Sequence, residues 1–148
     1  MKPIVESGFS VREIAGKEQM LKQYALLIQL NKNLNYQAVD YMLDDMLAHD
    51  YHMAGVFQGE DCIGLSGYWI STKLYCGRYL EMDNVVIDEN YRSKGIGKLL
   101  CDYLEQKAIE SRCGMIMLDA YLENEAAHRF YEREGFTKRG YHFLKTIA

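Results

Sequence analysis

Proline is almost missing, a single residue among 148, so the chain contains no proline-rich linker or polyproline ligand. Basic residues are in deficit: 17 Lys and Arg against 21 Asp and Glu leave a formal net charge of −4. Nucleic-acid binders normally show the opposite balance, which argues against such a partner. No segment approaches the ~18 uninterrupted apolar residues of a membrane span, and the opening MKPIVESGFSVREI lacks the apolar core of a secretory signal. Cys62, Cys76, Cys101 and Cys113 form no close pair for zinc and no disulfide framework. They read as reduced thiols, so the expectation is a cytoplasmic protein with no metal site. Apolar residues make up 49% of the chain, with 12 tyrosines, a composition that can order itself. The length suits one domain, residues 1–148, with a substantial core.

Periodicity divides the chain into elements. Phe9–Ile14 alternates as a first strand, and Lys17–Asn31 has a broad helical face through positions 20, 21, 24, 25, 27, 28 and 30. Tyr36–His49 repeats helical spacing through Val39, Met42, Leu43, Met46 and Leu47. His52–Gln58 and Cys62–Ile70 read as strands joined by a Gly59-Glu60-Asp61 turn, with Tyr79–Asp88 as the next strand. A helical stripe then runs from Ile96 to about Arg112 and stops at Cys113-Gly114. Met115–Tyr121 reads as a buried strand interrupted by Asp119, and Asn124 caps a short helix that Gly135 ends. Phe136–Lys138 and Tyr141–Thr146 are expected as a final pair of strands. The strand–helix–strand order of the second half requires some parallel pairing.

The stretch Val85–Leu100, VVIDENYRSKGIGKLL, carries the most chemistry. A β-branched strand meets a polar turn and then a helix whose first turn has little bulk at Gly95 and Gly97. Bare backbone N–H groups there can close on an anion, with the positive end of the helix dipole behind them. Arg92, Lys94 and Lys98 surround the spot in an otherwise acidic chain. The turn therefore suits a phosphate or pyrophosphate. A Walker loop is excluded because Arg92 stands where its first glycine belongs and Leu99 follows Lys98. The dinucleotide fingerprint is excluded because Leu100 replaces its third glycine.

What remains, Arg92-x-x-Gly95-x-Gly97 after a strand, resembles the coenzyme A pyrophosphate loop of the GCN5-related N-acetyltransferase (GNAT) superfamily. A second motif supports the resemblance: Asn124-Glu-Ala-Ala127, then Phe130-Tyr131 and Gly135-Phe136, lies past a helix and a strand as in that superfamily. The resemblance is clear from Tyr79 to the C-terminus and rests on element order before that. DNVVIDENYRSKGIGKLL and LDAYLENEAAHRFYEREGF especially resemble the branch containing glucosamine-phosphate N-acetyltransferases, although small-amine and protein N-terminal acetyltransferases share much of the pattern. The resemblance implies an α/β (α+β) acyl-CoA N-acyltransferase fold, a mixed twisted sheet of six to seven strands flanked by about four helices. It implies transfer of acetyl from acetyl-CoA to a primary amine, on a small molecule or on a protein or peptide. A homodimer through exposed strands would also be in keeping with it.

Residue by residue, the resemblance assigns the pyrophosphate to the loop Arg92, Ser93, Lys94, Gly95, Ile96, Gly97 and Lys98. The pantetheine arm falls to the backbone of Val85, Val86 and Ile87, and Asn124 also contacts the arm. Tyr131 is the proton donor or hydrogen-bond partner of the departing thiolate, a role that a phenol with a reference pKa near ~10 can fill. An amine arriving as ammonium also needs a base. Glu81 and Asp83 are two apart on one strand and share a face, where acids are costly unless exposed, paired or used. Asp83 is the first choice, acting through water, with Glu81 second and Asp119 able to orient substrate. Acceptor selection would fall to Tyr24, Tyr36, Asp40, Tyr41, Asp44, Asp45 and His142. Few basic residues in the first half suit a sugar phosphate. No cysteine lies in either motif, so a covalent acyl-enzyme is not expected, with Cys101 the thiol nearest the loop. Two rival classes share these features: a non-catalytic acyl-CoA-binding regulatory or sensor domain, and a nucleotide-binding module.

Overall fold

Apolar alternation produces a sheet that both groups of helices can cover. The computed structural model describes residues 4–6 and 8–148, with side chains described from residue 8. Six strands lie in sequence order: β1 (Ile4–Glu6), β2 (Phe9–Glu13), β3 (Tyr51–Gln58), β4 (Asp61–Lys73), β5 (Gly77–Ile87) and β6 (Met115–Leu118). Neighbours from β1 to β5 pair antiparallel, whereas β5 and β6 run parallel. The helices are α1 (Lys17–Leu21), α2 (Tyr24–Leu30), α3 (Tyr36–Ala48), α4 (Ile96–Glu110) and α5 (Glu125–Arg133), with a 3-10 turn at Glu89–Tyr91. The crossover through α4 is what allows β5 and β6 to be parallel. Among the described residues no helix is long and apolar enough to cross a membrane.

One face of the sheet is covered by α1–α3, through Met20, Leu26, Leu27, Val39 and Leu43 against Tyr51, Met53, Leu65 and Val86. The other face packs Ile96, Leu100 and Leu104 of α4 against Val11, Val56, Tyr68, Leu80 and Met82. Each large aliphatic side chain so buried contributes ~1.5–3 kcal/mol. Gly64 sets the entry of α4: a β-carbon there would stand 2.7 Å from Ile96 Cγ2. A polar strut crosses the same core, where the phenols of Tyr68 and Tyr103 donate to the two oxygens of Glu13 at 2.6 and 2.7 Å. The site elements β5 and α4 therefore sit on a fixed platform.

Four boundaries differ from the sequence expectation. β1 is an additional strand. The helix expected over Lys17–Asn31 divides at Lys22-Gln23, and the bend lets α1 bury Met20 while α2 buries Leu26 and Leu27, a stripe too broad for one straight helix. β6 ends at Leu118, which leaves Asp119 exposed just past the strand. The strands expected at Phe136–Lys138 and Tyr141–Thr146 are not formed. β6 offers only four residues, and Thr137-Lys138-Arg139-Gly140 supplies no apolar alternation to extend the sheet.

Candidate active site

A break in strand pairing opens the site. β5 pairs with β6 only from Tyr79 to Met82, while on its other side it stays paired with β4 out to Ile87. Past Met82 its β6-side edge has no strand partner among the described residues, so its peptide groups are open to a ligand. Within this stretch the β4–β5 register slips, with Leu65 opposite Val86 but Gly67 opposite Asp83. Asn84 takes up the extra residue at φ 56, a left-handed conformation that Asn tolerates better than most residues. Three hydrogen bonds hold the bulge. The Asn84 side-chain amide donates to Tyr51 Oη at 3.1 Å, the Asn84 backbone N–H donates to Asp83 Oδ1 at 2.9 Å, and the Trp69 indole donates to Asp83 Oδ2 at 2.9 Å. Beyond the bulge the strand is anchored from both faces: Val86 is buried under α2, while Val85 and Ile87 pack toward α4. Only backbone is left for recognition.

The loop after β5 gathers donors. Ser93 and Gly95 both have positive φ, 63° and 80°, the kind of turn that collects N–H groups into an anion-binding concavity. Gly95 is the N-cap of α4 with no capping side chain. The first helical bond runs from Leu99 N to Gly95 O at 3.2 Å, so the amides ahead of it have no helical carbonyl to reach. Nothing lies within 4 Å of a β-carbon built on Gly95, so conformation rather than space calls for glycine there. Gly97 is different, since a β-carbon would stand 2.9 Å from the Phe130 ring. It lets α5 close onto α4. Ile96 is buried, Arg92 and Lys94 are exposed, and Lys98 is paired with Asp102 at 3.2 Å and Glu134 at 3.5 Å. Among the described residues, Arg92 and Lys94 at the loop make no ion pair.

α5 brings Tyr131 beneath this region. Asn124 caps the helix by accepting from Ala127 N at 3.1 Å. Tyr131 sits edge-on to Phe130 and Phe136, with ring centroids 5.1 and 5.6 Å away. Burial pushes its phenol up to about 12, so it holds its proton at any physiological pH. Burial likewise pushes the nearby Cys101 thiol up to about 12, which disfavours its thiolate.

On the face of β5 opposite α4, Glu81 is half-buried and makes no side-chain hydrogen bond among the described residues. Burial raises its carboxyl above the usual range. Asp119 and Asp83 add to that rise, and Lys73 and His142 oppose it. Among the described residues no group of His, Cys, Asp and Glu is arranged to hold a metal.

A sequence profile of the acetyltransferase (GNAT) family matches residues 20–136. The chain belongs to this family. It is 26% identical over 139 residues to the uncharacterized N-acetyltransferase YhdJ of Bacillus subtilis (strain 168), covering 93% of this chain and 98% of that protein. It is 27% identical over 127 residues to the aminoalkylphosphonate N-acetyltransferase of Salmonella typhimurium (strain LT2), covering 84% and 82%. In fold it is similar to an aminoglycoside acetyltransferase from an uncultured soil metagenomic sample, with a TM-score of 0.80 at 15% identity over 97% of this chain and 99% of that one.

Within this GNAT domain the structure sorts the sequence candidates. Val85, Ile87, Phe130 and Tyr131 pack against the core cluster that also holds Ile96 at the start of α4. Asp83 accepts hydrogen bonds at both oxygens, from Trp69 and Asn84, whereas Glu81 makes no side-chain hydrogen bond among the described residues. Asp40 and Asp44 are held by Lys17, and Tyr24 donates to Leu34 O at 3.2 Å while packing on Tyr36. Those helix residues are engaged in joining α1–α3. Sequence reasoning passed over Asn84, Tyr51 and Trp69. An Asn between Asp83 and a β-branched run was the available signal for a bulge.

Proposed function

We propose that this GNAT protein transfers acetyl from acetyl-CoA to a primary amine by direct attack. The observation that supports this reading is that an unpaired β5 edge, the donor-rich start of α4 and the helix bearing the protonated Tyr131 phenol all pack on one core cluster. The loop Arg92–Lys98 binds the pyrophosphate through main-chain N–H groups, and Val85, Val86 and Ile87 bind the pantetheine arm as an added strand would. Glu81, with its raised carboxyl, takes the proton from the acceptor ammonium. The amine nitrogen then attacks the thioester carbonyl, and the developing oxyanion is stabilised by a main-chain N–H of the bulged strand. As the C–S bond breaks, Tyr131 gives its proton to the thiolate, and the surplus proton of the attacking nitrogen passes through water to the phenolate, leaving amide, free coenzyme A and a neutral Tyr131.

The acceptor is a small molecule or a peptide bearing a primary amine. Relatives whose names specify aminoalkylphosphonate, glucosamine 6-phosphate and spermine or spermidine acceptors support that class. Release of coenzyme A across a panel of such amines, compared between wild type and Tyr131→Phe, tests the assignment. Turnover with at least one amine, reduced ~10²-fold in the variant, is expected. Tight binding of acetyl-CoA with no turnover on any amine would indicate a sensor domain.

A further inference from the structure

One row of side chains crosses the sheet beside the bulge. Tyr51 on β3 is the register partner of Trp69 on β4, Trp69 of Glu81 on β5, and Glu81 of Met117 on β6. Directly opposed partners project from the same face, with β-carbons ~4.5–5.5 Å apart in an antiparallel pair. Trp69 therefore stands between Tyr51 and Glu81. The Tyr51 ring packs on the indole with centroids 4.8 Å apart, and Asp83 Oδ2 accepts from the indole N–H at 2.9 Å. Those two contacts fix the orientation of the ring. Tyr51 is buried, whereas Trp69, Glu81 and Met117 are each half-buried. Trp69 lies at the margin of the cluster under α1–α3, and Met117 belongs to neither core cluster, so the cover of the helices runs out at the indole. Beyond Glu81, the Tyr75 hydroxyl from the β4–β5 turn reaches the Met117 sulfur at 3.9 Å.

We propose that Trp69 is a specificity-determining residue: its indole, next to the Glu81 carboxylate, selects acceptors that present an ammonium on an unbranched aliphatic stem. This rests on the reading of the Glu81 face as the acceptor side. An aromatic face attracts a cation, indole most strongly, and the neighbouring carboxylate adds its charge. Met117 offers the stem an adaptable apolar surface. The four side chains of the row include no cation, so a phosphorylated acceptor gains nothing there. Once Glu81 has taken the proton, the neutral amine loses its attraction to the ring and is free to reach the thioester.

Trp69 is the single tryptophan of the chain, so biosynthetic incorporation of monofluoro- or difluorotryptophan alters this ring alone. Fluorine withdraws negative charge from the ring face but keeps the indole outline and the N–H donor to Asp83, so a purely structural Trp69 is insensitive to it. Calorimetry on the full chain should give a Kd for putrescine that weakens stepwise along the series, by about 2- to 5-fold in all. Butanediol, the neutral isostere, should not bind. The one fluorine resonance should move on titration with putrescine and stay in place with butanediol. A Kd unchanged along the series, or a resonance that putrescine leaves unmoved, overturns the inference, while acetylation of amines by the unlabelled protein still upholds the transferase reading. Putrescine bound at Trp69 in a protein that acetylates no amine of the panel overturns that reading, and the acceptor role of Trp69 with it.

Discussion

The side-chain amide of Asn84 donates to the Tyr51 phenol oxygen at 3.1 Å, which ties the bulge in β5 to a strand two places away in the sheet. The Tyr51 ring lies over Gly67, where a β-carbon would overlap it, so the phenol is steered to the bulge by a glycine on the strand between. Burial pushes the Tyr51 hydroxyl up to about 12, and it remains neutral throughout the working range. Tyr51→Phe removes the acceptor and leaves Asn84 unpaired. We expect a loss of about 1 kcal/mol in thermal or urea unfolding, with coenzyme A affinity weakened several-fold in calorimetry. Unchanged affinity would separate the bulge from coenzyme binding.

Gly97 and Gly95 make distinct predictions although they share one motif. Gly97→Ala forces the Phe130 ring away from α4, and overpacking of this kind costs ~1–3 kcal/mol. Because Tyr131 is adjacent to Phe130 on α5, turnover should fall more than acetyl-CoA affinity. Gly95→Ala meets no steric obstacle but must hold φ at 80°, a strain of ~1–2 kcal/mol. That strain should appear chiefly as weaker binding of coenzyme A. Melting curves and calorimetry on the two variants check the contrast.

Glu81 links activity to stability. Burial and Asp119 raise its folded-state carboxyl above the unfolded value. Between those two values the folded state binds more protons than the unfolded, so stability falls as pH rises through the window. Above the window that penalty is fully present. Glu81→Gln should therefore melt at the same temperature as wild type or higher at neutral pH, with the advantage fading in acid. Its turnover should drop by ~10²-fold or more. Thermal unfolding at several pH values, with matched rate profiles, tests both halves.

Tyr131→Phe makes a narrower claim. With the phenol pushed up to about 12, wild-type activity should show no decline from Tyr131 ionisation across the neutral and mildly alkaline range. The variant should lose turnover uniformly over that range while keeping its melting temperature within a degree or two, because the ring still fills its place between Phe130 and Phe136.

The sequence made the second half of the molecule readable because its signals are local. Gly95 and Gly97, the β-branched run before them and the Asn124 cap each specify backbone geometry within a few residues. The N-terminal helices were less legible, since the bend at Lys22-Gln23 is set by which residues can reach the sheet, a tertiary matter. The surroundings of Asp83 were hidden for the same reason: its partner Trp69 is on the neighbouring strand, and only the register brings the two together. The missing strands after Phe136 show the limit of reading short apolar runs, because Tyr141 and Phe143 have strand-forming character but no partner edge of sufficient length.

A crystal structure with bound coenzyme A is the most direct measurement. The pyrophosphate should lie on the amides between Ser93 and Lys98, the pantetheine arm along the unpaired edge of β5, and the sulfur within hydrogen-bonding distance of Tyr131 Oη. A coenzyme seated elsewhere, or a Tyr131 hydroxyl turned into the core away from the sulfur, would contradict the account.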